Sequence, residues 1–142
     1  MSSINTGKVI AGGLLAGLVF NILDFVSNGV FLAEDFRANA TRLGLDPAVA
    51  ESVGGIMTWV VIDFLLGILA VFTYAAMRPR FGPGPKTAIV AGLVVYLSVT
   101  LVLFGLTQGG LIAMALFVKA SILSLVTVCV GSVAGAWAYR EA

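Results

Sequence analysis

Three ionisable residues, Asp24, Asp63 and Lys119, stand inside long apolar stretches. A charge there costs several kcal/mol unless it is paired or snorkels to an interface, so each marks a site or a latch. Asn21 and Asn28 flank Asp24 at spacings of three and four, which puts the three side chains on one helical face. Counting from the nearest basic flanks, Lys8 and Arg78, sets both acids about 23 Å above one boundary at ~1.5 Å per residue. Lys119, counted from Arg140, stands about 31 Å up, near the opposite boundary.

Three chemistries suit this group. Lys119 can pair with Asp24 or Asp63 and fix the register of a bundle. Two acids facing one lysine also leave a carboxylate able to take up a proton, as a small proton-coupled transporter or channel requires. The third option is a lipid or headgroup site near the outer boundary.

Catalysis has weaker support. The sequence has no His and one Cys, Cys129, so His-ligated haem, typical zinc centres, a disulfide and a cysteine redox pair are excluded within the chain. Cys129 reads as a small packing residue. No Ser stands with a base in a way that would activate it. "GPGPKT" is unlike a phosphate loop, since no glycine directly precedes its lysine and no strand leads into it. We expect no catalytic residue, no metal ligand and no cofactor.

The elements holding these residues follow from hydropathy. Of 142 residues, 60% are hydrophobic and 11% charged, against about a quarter charged in soluble domains. Mean hydropathy is +1.09. Four stretches, residues 7–32, 54–77, 87–107 and 111–139, are each long enough to cross ~30 Å of hydrocarbon as helices. The expected fold is all-α, a single domain over residues 1–142: a four-helix transmembrane bundle with a short external interfacial helix between helices 1 and 2. Phe36, Ala40 and Leu43 give that short helix its spacing and Gly44 its end, the alternative being a solvated connector. Asp46 followed by Pro47 provides a cap and first turn for the second span. "Asn39-Ala40-Thr41" matches a glycosylation sequon.

Lys8, Arg78, Arg80, Lys86 and Arg140 fall on one side of four crossings, which predicts cytoplasmic N- and C-termini in a cell inner membrane. Tyr74, Trp137 and Tyr139 are expected in an aromatic belt there. The net charge of +1 and the lack of any basic patch beyond these flanks argue against nucleic-acid binding.

Small residues continue the polar face. Gly13 and Gly17 extend the Asn21–Asp24 stripe, and Gly131 and Gly135 extend Ser124 and Thr127 in the fourth span. Such stripes let helices approach closely, within the chain or between protomers. Partners are therefore the lipid bilayer and a homo-oligomer or larger membrane complex. The leading expectation for function is a non-catalytic accessory or scaffold subunit, or a homo-oligomer; the alternative is a small proton-coupled transporter or channel using Asp24 and Asp63.

The opening "GKVIAGGLLAGLVFNILDFVSNGVFL" and the hinge "YAAMRPRFGPGPKTAIVAGL" resemble small bacterial four-helix membrane proteins grouped in families of unknown function. The resemblance covers most of the chain and implies the bundle, without an activity. Small multidrug transporters also carry an acid in their first helix, but theirs is a glutamate in a shorter chain.

Overall fold

The computed structural model describes residues 3–139, and Arg140, used above as a basic flank, lies outside them. Six α-helices form, with no strand among the described residues: α1 (Thr6–Val26), α2 (Ala33–Arg42), α3 (Pro47–Glu51), α4 (Val53–Phe81), α5 (Pro85–Gln108) and α6 (Met114–Ala138). Four of them, with α1 continued to Phe31, are long and apolar enough to cross a membrane, as the helices of a multi-pass membrane protein are.

Local chemistry sets the boundaries. The Asn5 side chain accepts from the Lys8 backbone N–H at 3.0 Å and caps α1. At its far end α1 widens into a π-helical turn, Ser27–Phe31, in which Leu32 N–H donates to Ser27 O at 2.9 Å. Asp46 caps only the short α3, through Ala48 N–H, whereas the second long helix has its own cap in Ser52, which accepts from Gly55 N–H. The expected single start is thus two starts, because Ser52 is extended and interrupts the helix. The hinge is also shorter than "RPRFGPGPK" suggests. α4 runs through Pro79 to Phe81, and only residues 82–84 separate it from α5. Gly82 (φ 81°) and Gly84 (φ 127°) supply the left-handed backbone that so tight a connection needs.

The long helices pack in the cyclic order α1, α4, α5, α6, with α6 closing on α1 and touching α4 across the middle. Successive long helices run in opposite directions, so the start of α1, the end of α6 and the 82–84 turn share one end of the bundle. We call this the terminal end. α2 and α3 lie at the other, the strap end.

Burial is inverted relative to a soluble core. Inside are Ala16, Ala70, Ala75, Ala88 and Ala91, while Leu14, Leu18, Ile22, Phe25, Leu65 and Leu101 point outward. Large apolar side chains facing out are suited to lipid rather than to water. Two aromatics depart from the expected belt. Tyr74 (4% exposed) and Tyr139 (2%) are core residues packed edge to face, with ring centroids 6.1 Å apart, and only Trp137 faces outward. The Tyr74 and Tyr139 hydroxyls accept from Gly84 N–H and Asn5 N–H, so the pair ties the terminal end together.

Candidate functional site

The site lies where α1, α4 and α6 meet, and the glycine seam fixes its register. A Cβ on Gly17 would stand 2.6 Å from Phe64 Cα, and one on Gly13 would overlap the Ile68 backbone. Gly67, absent from the expected small-residue stripes, fits against Gly13 and Gly17 from the other side. On the α6 side, Gly12 and Gly135 face one another, with a Cβ on either one 2.7–2.8 Å from the other's carbonyl oxygen. Gly131 seats the Phe20 ring. α1 is therefore in backbone contact with two helices at once, and the small-residue stripes are filled within one chain.

One turn outward the seam becomes polar. Asn21 Nδ2 donates to Gly17 O at 2.9 Å in its own helix and to Val60 O at 3.3 Å in α4. Asp24 is half-buried and accepts from the Thr127 hydroxyl of α6; its Oδ1 is buried without a hydrogen-bond partner among the described residues. Asp63 of α4 is 7% exposed, has no hydrogen-bond donor, and lies close enough to Asp24 for their charges to interact.

The two acids are not at one level, contrary to the count from the basic flanks. Gly13 opposite Ile68, Gly17 opposite Phe64 and Asn21 opposite Val60 define an antiparallel register. That register sets Asp63 beside Leu18 and Asp24 beside Met57, about 9 Å apart along the axis at ~1.5 Å per residue. Side chains tilt toward the N-terminus of their own helix, and these helices run oppositely, so the two carboxylates lean toward each other across the offset.

Lys119 does not join them. Its Nζ bonds Asp35 Oδ1 of α2 at 2.8 Å, at the strap end. No Lys or Arg among the described residues pairs with Asp24 or Asp63, so the expected latch is not formed. Asn28 falls in the π turn and makes no hydrogen bond to the described residues.

Residues of the short helix α2, among them Asn39 of the sequon match, form a second polar group. Asn39 donates from Nδ2 to Leu111 O (3.1 Å) and accepts at Oδ1 from Ala113 N–H (2.9 Å). Arg42 donates to Gly110 O and to Asn39 Oδ1, both at 2.8 Å. Arg37 bridges Glu34 and Glu51, joining α2 to α3, and these hydrogen bonds raise its already high pKa, Glu51 most and then Glu34. α2 is thus a strap fastened to the α5–α6 turn. The only signal for this was the pair of polar side chains three apart, Asn39 and Arg42. Between strap and α4 lies an open groove of about 390 Å³, lined by Leu45, Val49, Ala50, Trp59 and Ile62, with Asp46 and Thr58 as polar groups.

No cluster of three or more His, Cys, Asp or Glu side chains able to hold a metal occurs among the described residues. No protein-family model, curated protein or solved structure matches the chain.

Proposed function

We propose that this is a small proton-coupled transporter or channel of the inner membrane, with the Asp24–Asp63 pair as its proton-binding site. The four long helices cross the bilayer, the basic terminal end faces the cytoplasm, and the α2 strap lies over the outer end at the interface. One observation carries the functional part: two carboxylates lean together inside the bundle while Lys119, the cation in reach by sequence, is spent on Asp35. Uptake of a proton relieves the repulsion between two such carboxylates removed from water. The leading expectation from sequence, a scaffold subunit or homo-oligomer, drew on the glycine stripes and the lack of catalytic side chains, and those stripes are occupied from within the chain.

The test is flux. Protein reconstituted into vesicles containing a pH-sensitive dye should dissipate an imposed pH gradient, and Asp24→Asn and Asp63→Asn should each reduce the rate at least tenfold while keeping the thermal transition of the parent. Parental flux in both variants would refute the assignment. Maleimide labelling of Ser3→Cys and Ala48→Cys from opposite sides of the membrane tests the orientation.

A further inference from the structure

We infer that the α2 strap is a gate at the outer end of the bundle, with Leu32 as both its plug and its hinge; the gating of flux rests on the proton-binding reading above. Little else closes that end. Between Asp24 and Asp63 in the chain only Ser27 and Leu32 are buried. α5 has no buried residue after Val95, and α6 has only Leu116 between its start and Thr127. Leu32, 4% exposed, is thus the one apolar side chain that the α1–α2 connection places inside.

The π turn is what points Leu32 inward. Leu32 N–H reaches back to Ser27 O, whereas α geometry would pair that carbonyl with residue 31 and carry Phe31 onto the same face. Phe31 is instead 69% exposed. Ser27 and Leu32 therefore continue the inward side of α1 outward from Asp24, and the π turn packs against α6. Leu32 itself is non-helical (φ −108°, ψ 7°), so α1 and α2 are separate rods joined at one residue. Element-terminal residues of this kind absorb the backbone change of a hinge.

The strap is held as a movable part is held. α2 has no buried residue of its own. Its fastenings are the bonds of Asn39 to Leu111 O and Ala113 N–H, of Arg42 to Gly110 O, and of Asp35 to Lys119, all at exposed or half-exposed side chains. Such contacts exchange for water at small net cost, and elements with few buried contacts open first. Lifting α2 about Leu32 releases polar bonds to water, withdraws one leucine, and uncovers Ser27 and then Asp24.

The experiment uses the full chain carrying Cys129→Ala, reconstituted into vesicles. Leu32→Cys is treated with a membrane-impermeant maleimide from the strap side, with Ala48→Cys on the exposed α3 as reference. We expect Leu32→Cys to label at least tenfold more slowly than the reference, and added Asn39→Ala to remove most of that difference. Asn39→Cys with Ala113→Cys, joined by a short bifunctional methanethiosulfonate, should lose at least tenfold in proton flux and regain it on reduction, with the monofunctional reagent as blank. Leu32→Cys labelling as fast as the reference would overturn the plug. Parental flux in the cross-linked protein would overturn the gate and leave the proton site standing. If labelling follows the strap as expected but the parent carries no protons, the strap still opens over Leu32 and it is the proton reading that falls.

Discussion

The two halves of the bundle are held by opposite means. Toward the terminal end, α1 lies against α4 and α6 through Gly12, Gly13, Gly17, Gly67 and Gly135, where the absence of side chains brings backbones together. Toward the strap end, the same faces carry Asn21, Asp24, Asp63 and Thr127, and polar atoms there remain unmatched. Close packing is the main source of helix association in lipid, whereas interhelical polar contacts add only about 0.6 kcal/mol each on average. The first half therefore supplies rigidity, and the second can hold a group whose charge changes without losing the fold.

Breaking the glycine half should have the largest effect. Gly17→Leu has no room beside Phe64 Cα, and we expect a loss of about 3 kcal/mol or more, read as failure to recover a monodisperse, thermally cooperative species from detergent. Gly105→Ala is the matched control, since nothing lies within 4 Å of a Cβ there, and its melting temperature should equal or slightly exceed the parent's. Asn39→Ala removes two of the three hydrogen bonds that seat the strap on the α5–α6 turn and should cost about 2 kcal/mol by thermal unfolding. Asp63→Leu sharpens the comparison by reversing the sign: replacing an unpartnered buried acid should raise stability by about 1 kcal/mol while flux is lost. Lys119→Met should be smallest, about 0.5 kcal/mol, because the ion pair with Asp35 is substantially exposed; added salt should erase the difference in melting temperature.

Much of the rigid half was legible beforehand. Helical length follows from apolar run length, and the Gly13/Gly17 and Gly131/Gly135 stripes sit at seams because small residues at spacing four leave a groove. Gly12 and Gly67 escaped notice because a second stripe on the same helix, or a lone glycine, has no period of its own. The polar half was harder. Depth counted from basic flanks treats those flanks as level, yet α4 continues past Arg78 to Phe81 and the register sets Lys8 beside Thr73, which displaces Asp63 from Asp24. The direction of Lys119 was undetermined by sequence, since a long flexible stem can reach either way. What draws it outward is Asp35, delivered there by the π turn at Ser27–Phe31.

The strap also carries information about the order of assembly. Its fastenings join residues far apart in the chain: Asn39 with Ala113, Arg42 with Gly110, Asp35 with Lys119. At about 5–20 residues per second of synthesis, Asn39 waits roughly 4–15 s for its partner to be made. Until the last helix has been made, the strap's polar ends have nothing to grip in the α5–α6 turn, so a chain made only as far as α5 differs from the finished one at the strap end.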